Sequence, residues 1–203
     1  EAGLKPKERV VGKMDKAQKR FNKALEIRPN DISALRGVGS CLFAAGEWNN
    51  LLNIYNNIIY HARAPEDVID AYLTKGHVLD ARMGLPDKAA QHYQKILSFD
   101  SDQPAALLRL GELALRRQDW IDAATLAGRG LGGEGLSPED EGLLRLVRSI
   151  ALVSVGDMAA GDEEYQKARN GDVALAAALG DTGVDAPDKM HETLRARLLS
   201  AQP

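Results

Sequence analysis

Three glycines set in apolar helical surroundings recur at one register, and that recurrence constrains the fold more than any other feature of the chain. Gly39, Gly76 and Gly111 lie 37 and 35 residues apart. Leu35, Val38 and Leu42 around the first correspond to Tyr72, Lys75 and Leu79 around the second, and to Leu107, Leu110 and Ala114 around the third. A second segment follows each glycine, with Leu51, Tyr55 and Ile58, then Ala89, Tyr93 and Ile96, then Ala123, Ala127 and Gly130 in register. The turn "GEW" at 46–48 returns as "QDW" at 118–120, at the same distance from its glycine. Glycine inside a helix costs about 1 kcal/mol relative to alanine. A cost repeated at one register implies a compensating close approach of the paired helix, with Ala17, Ala89 and Ala123 as the small residues of the second helices.

Apolar residues recur at helical spacing along almost the whole chain, as in "MDKAQKRFNKALEI", "AALLRLGELAL" and "LLRLVRSIALVSV". Strand alternation is absent. Breaks with Pro, Gly or Asp fall at 28–31, 45–48, 63–67, 84–87, 101–104, 117–120, 131–140 and 155–157. The segments between them suit antiparallel helix pairs. Ser137 and Pro138 read as N-cap and first residue of a helix.

The register resembles that of the tetratricopeptide repeat (TPR) family, whose unit reads W-x2-L-G-x2-Y, then A-x3-F, then Pro. "AQKRFNKALEIRP" at 17–29 matches the second half of that unit, and "LRGVGSCL" at 35–42 and "LLRLGELA" at 107–114 match the first half with Leu for Trp. The resemblance covers about residues 7–170. It implies an all-α fold, a right-handed α-solenoid of antiparallel helix pairs with a C-terminal capping helix. The expected division is a partial first unit at 1–31, units at 32–64, 65–101 and 102–136, a divergent unit at 137–170, and a helical cap or tail at 171–203. The third unit carries an extra residue near Pro86, and the fifth has Ser149 where the glycine belongs.

In such an array the first helix of each unit lines the inner groove. Register places Ser33, Arg36, Gly37, Ser40 and Phe43 there, then Asp70, Leu73, Thr74, His77 and Asp80, then Ala105, Leu108, Arg109, Glu112 and Arg116. Leu143, Leu146, Val147 and Ile150 make the last stretch apolar. Met190, Leu194 and Leu198 share one stripe of a C-terminal helix expected to cover that surface. The resemblance implies a non-catalytic scaffold that binds a protein or peptide segment, with Arg36, Ser40, Phe43, Leu73, His77, Asp80, Arg109, Glu112 and Arg116 as contacts. Some members grip a terminal carboxylate with Lys and Asn residues. Gly37 and Ser40 stand at the Asn positions, so that clamp is not expected. The half-unit at the start suggests part of a larger multi-repeat protein or complex.

Other chemistry is weakly supported. "GRGLGGEG" at 128–135 fits G-x-G-x-x-G, but a dinucleotide site needs a strand before the glycines, and a helical segment stands there instead. His77, Asp80 and Asp70 could form a ligand, metal or acid–base site, which is the alternative reading. No catalytic residues, metal or cofactor are implied. Cys41 is the single cysteine and reads as a small buried residue. The acidic runs 139–141 and 162–164 suit helix starts, and the basic stretch 5–20 suits a solvated face or an acidic partner. A net charge of −3 gives no general attraction for nucleic acid, and no apolar run approaches the ~18 residues of a membrane span. Self-association is conceivable through the apolar end. Nothing fixes the compartment, and the cytoplasm is only a default.

Overall fold

The protein is seen here as a computed structural model that describes residues 6–133, 135–180 and 183–200, with backbone alone for 6–13 and 199–200. The described residues form helices and connections without a strand. The helices are α1 (Pro6–Ile27), α2 (Ile32–Ala45), α3 (Trp48–His61), α4 (Pro65–His77), α5 (Pro86–Leu97), α6 (Pro104–Arg116), α7 (Trp120–Leu131), α8 (Pro138–Ser154), α9 (Met158–Gly171), α10 (Val173–Leu179) and α11 (Pro187–Ser200). A π-helical turn, Val78–Arg82, prolongs α4.

Local chemistry starts the helices where the sequence breaks. Asp31 accepts from the Ala34 amide at 2.9 Å, Ser137 from Asp140 at 3.0 Å and Asp157 from Ala160 at 3.1 Å. Pro65, Pro104 and Pro138 occupy first-turn positions, where a missing N–H has no consequence.

The turn within each pair is closed by one backbone device. The Glu47 amide donates to Leu42 O, Asp119 to Ala114 O and Asp157 to Leu152 O, each at 2.9 Å and each five residues back. The residue before each donor is left-handed: Gly46 at φ 74°, Gln118 at φ 61°, Gly156 at φ 93°. These are Schellman closures. They satisfy the last carbonyls of the first helix and send the chain back along it. In the third unit the Leu85 amide reaches Leu79 O at 2.8 Å, six residues back, with Gly84 left-handed at φ 65°. The extra residue expected near Pro86 is thus absorbed earlier, in the π turn, since a π turn holds one residue more than an α turn.

Among the described residues two compact units emerge, one ending at Leu85 and one beginning at Pro86. The boundary falls inside the stretch 65–101 that the sequence reads as one repeat. In the first unit α1 packs on α2, α2 on α3 and α3 on α4, around Leu35, Val38, Leu42, Leu51, Tyr55 and Ile58. α1 meets α2 at Gly37, where a Cβ would stand 2.5 Å from the Phe21 ring. Ala17 is only half-buried. In the second unit α5 through α9 follow one another, α10 leans on α9 and α8, and α11 lies on α8.

The small residues sit where helices touch. A Cβ on Gly39 would meet Tyr55 at 3.2 Å and Leu51 at 3.5 Å, both on the paired helix. On Gly111 it would meet Val147 of α8 at 3.1 Å, while Ala123 O of the paired helix lies at 3.8 Å. Where Ser149 replaces the glycine, smallness moves to the other helix. Ser149 Oγ donates to Gly161 O at 2.7 Å, and a Cβ on Gly161 would meet Val153 at 2.6 Å. Gly130 belongs to this class too, because a Cβ there would stand 2.7 Å from Leu144. Gly128 and Gly130 lie within α7, so half of the dinucleotide-like pattern is helix.

Two substitutions test this account. Gln118→Gly should raise stability by about 0.5–1 kcal/mol in urea unfolding, because relief of a left-handed side chain outweighs the extra freedom of glycine in the unfolded chain. Gly111→Leu should cost about 1–3 kcal/mol by overpacking, and an unchanged melting temperature would refute the contact with Val147.

Candidate functional site

The first-helix face of the first unit is polar and internally paired. Arg36 on α2 holds Asp67 at 2.9 Å and also pairs with Asp70, both on α4. Burial works against the guanidinium's charge, and the two carboxylates outweigh it, so the Arg36 pKa stands above its ordinary value. Ser40 is exposed and donates to Arg36 O at 3.1 Å. Phe43 packs edge-on to Trp48 with ring centres 5.4 Å apart, and the Arg82 guanidinium lies 5.4 Å from the Phe43 ring. Phe43 is therefore a half-covered aromatic rather than an open anchor. Leu73 and Asp80 are half-buried, and His77 is 6% exposed.

Asp70 is taken up by Arg36, and among the described residues no group of three His, Cys, Asp or Glu side chains could hold a metal ion. The sequence placed Asp70, His77 and Asp80 at helical spacing, but spacing says nothing of the partner that α2 supplies.

On the second unit the face expected to be an apolar groove is covered by the chain itself. Leu143 is 4% exposed, and Leu146, Val147 and Ile150 are fully buried. Met190, Leu194 and Leu198 of α11 join them in one core. Arg109, expected to meet a partner, donates from Nη1 to the Leu198 carbonyl at 2.9 Å. Its charge thus serves the C-terminal end of α11, where the helix dipole is negative. Glu112 is 9% exposed and accepts from Arg116 Nε at 3.0 Å. Glu112, Leu115 and Arg116 border a cavity of about 320 Å³ whose other wall is His191, Glu192, Leu194 and Arg195 of α11.

Sequence reasoning found the apolar stripe of α11 but missed its polar ties. Arg197 pairs with Glu139 at 2.9 Å and with Asp172 at 3.6 Å. Asp172 is also the N-cap of α10, accepting from Ala174 at 2.8 Å and Leu175 at 3.0 Å. The acidic run at 162–164, expected to suit a helix start, lies past the first turn of α9, which begins at Met158. Glu164 is 7% exposed and joins α9 to α8 through Arg145 at 2.9 Å and Arg148 at 3.3 Å.

No family model matches the chain. One curated protein that it matches is the protein CTR9 homolog of Arabidopsis thaliana, 29% identical over 110 residues. The match takes in 54% of this chain and spans about a tenth (10%) of that protein. Among solved structures, MamA protein superposes with a TM-score of 0.60 at 17% identity, over 84% of this chain and 89% of that one. YrrB, described as a TPR protein with an unusual peptide-binding site, gives 0.57 at 15% identity over 93% and 85%. TTC0263, a thermophilic TPR protein of Thermus thermophilus, gives 0.50 at 18% over 96% and 93%.

The chain has the tetratricopeptide-repeat fold. The repeat register of the sequence would make α2, α4, α6 and α8 first helices, and α3, α5, α7 and α9 second helices. Glycine at 39, 76 and 111, with Ser149 in its place in the last repeat, marks the same first-helix position each time. No helix among the described residues is long and apolar enough to cross a membrane.

The α6–α11 contact carries a pH signature. Burial pushes the His191 imidazole below its ordinary value, while Asp188, one turn earlier, pulls it up. Glu112, Glu192, Arg116 and Arg195 share its cavity. The folded chain thus takes up a proton there less readily than the unfolded chain. Stability is full above the ordinary histidine value and falls as pH drops through it. His191→Gln should flatten the fall in melting temperature between about pH 7.5 and about pH 5.5 relative to the parent; parallel profiles would remove His191 from this role.

Proposed function

We propose that this chain is a non-catalytic protein–protein interaction scaffold that takes a protein segment on the faces formed by its first helices. The observation that carries the reading is α11 itself. The α6/α8 face already seats a helical segment through an apolar row and a charged hydrogen bond to its end. A surface that seats one amphipathic helix has the shape and chemistry for protein ligands. The peptide-binding site in the description of YrrB supports the same reading. The residues proposed to meet a partner on the first unit are Arg36, Ser40, Phe43, Leu73, His77 and Asp80. On the second unit they are Arg109, Glu112 and Arg116. The partner is a protein or peptide rather than nucleic acid. Self-association is part of the proposal, as is membership of a larger multi-repeat protein or complex, which the match to one tenth of a longer curated protein supports.

Photocrosslinking tests the face. A benzophenone side chain at Ser40, which is exposed on α2, should form protein adducts in an extract of the source cell. The same group at Asn53, exposed on the second helix α3, should not. Equal labelling from both positions, or none from Ser40, would sink the first-helix reading.

A further inference from the structure

We propose that the α6/α8 face under α11 is an exchangeable helix-binding site, and that its foreign ligand is an amphipathic α-helix built like α11. This deepens the scaffold reading and rests on it. The ligand has apolar residues at i, i+4 and i+8, a cation beside the last of them, and its C-terminal end at Arg109.

Four observations define that ligand. Met190, Leu194 and Leu198 are at most 4% exposed and form one row, so the site reads three rungs of a single helical stripe. Arg197, beside the last rung, meets Glu139 and Asp172, so the site presents two carboxylates to a cation at that position. Arg109 donates to Leu198 O, which fixes the direction of the bound helix by its C-terminal end. The helix now in place underfills the site, because a cavity of about 320 Å³ remains between α6 and the His191 side of α11. A ligand with a larger apolar side chain at the His191 position gains contact that α11 lacks.

The site exchanges occupants rather than opening. Leu146, Val147 and Ile150 are fully buried under cover, and α8 is apolar on this side as well as toward α7 and α9. Left bare, this face would form an exposed apolar patch, which soluble chains avoid. Being tethered, α11 competes at an effective concentration on the order of millimolar. A free helix therefore binds with an apparent Kd equal to its intrinsic Kd divided by the fraction of time that α11 leaves the site vacant. Weakening α11 alone should reveal the affinity of the face.

Fluorescence anisotropy with a labelled synthetic peptide of residues 187–200 tests this. The full chain carrying Leu194→Glu should bind the peptide at least tenfold more tightly than the parent chain. A peptide that itself carries Leu194→Glu should bind neither. Equal affinity of the two chains for the peptide overturns the proposal, as does equal binding of the two peptides. Should Leu194→Glu fail to fold, hydrogen exchange on the parent chain decides. Excess peptide with His191→Phe should speed exchange of the α11 amides several-fold and leave those of α8 protected. Unchanged α11 exchange at saturating peptide overturns the proposal. Neither measurement touches Ser40 or the first unit, so failure here leaves the photocrosslinking result standing, and the reverse holds as well.

Discussion

The backbone closure at the turn inside each helix pair is the constraint on which the rest depends. A helix with one apolar stripe needs a second helix at a fixed angle and height, and the five-residue amide-to-carbonyl bond at 42–47, 114–119 and 152–157 sets both. At these three turns the residue three positions before the carbonyl acceptor faces a neighbouring helix. Glycine stands there at 39 and 111, and a serine at 149 that bonds to the facing backbone. The third turn shows the strength of the rule. An inserted residue is not left to loosen the loop. It is wound into a π turn, so that the left-handed residue and its closing bond survive with the span lengthened by one.

Repetition of one contact leaves an end problem. Within the second unit α6 and α7 pack on α8, which keeps a further apolar stripe that they leave uncovered. Here α8 is apolar around most of its circumference, with Leu143, Leu144, Leu146, Val147, Ile150 and Ala151 all buried. Packing on α7 and α9 accounts for part of that circumference. The remainder is closed by α10, through Leu175 and Leu179, and by α11, through Met190, Leu194 and Leu198. The polar ties then orient α11. Arg197 at Glu139 and Asp172, and Arg109 at the Leu198 carbonyl, act at the same end of that helix.

Sequence alone carried the helix boundaries far, because they rest on local chemistry. Ser137 and Pro138 announce the start of α8 without reference to anything distant, and Gly46 announces the end of α2. It also carried the stripe on α11, since Met190, Leu194 and Leu198 are spaced by helical geometry. It failed where a side chain's partner lies on another helix. Asp70, His77 and Asp80 look like a cluster along one helix until Arg36 of α2 claims Asp70. Gly37 sits at a groove position by register, yet it receives the Phe21 ring of α1. Arg109 reads as a free cation because its acceptor is a backbone carbonyl 89 residues away. A carbonyl has no letter in the sequence.

That last case bears on how such a face selects what it holds. An arginine aimed at a carboxylate side chain would select a residue type. Arg109 aims at a main-chain carbonyl near the end of a helix, and so selects a secondary structure and its direction. The apolar rungs select spacing, and Glu139 and Asp172 select a cation at one place. None of these demands is met by an extended peptide, whose side chains alternate and whose carbonyls do not converge at one end. On the proposed exchange of α11, the unit that holds it would discriminate helix from strand before it discriminates sequence. The paired charges of Arg36, Asp67 and Asp70 on the other unit pose a different chemistry, in which any ligand of the proposed face would compete with ion pairs already made.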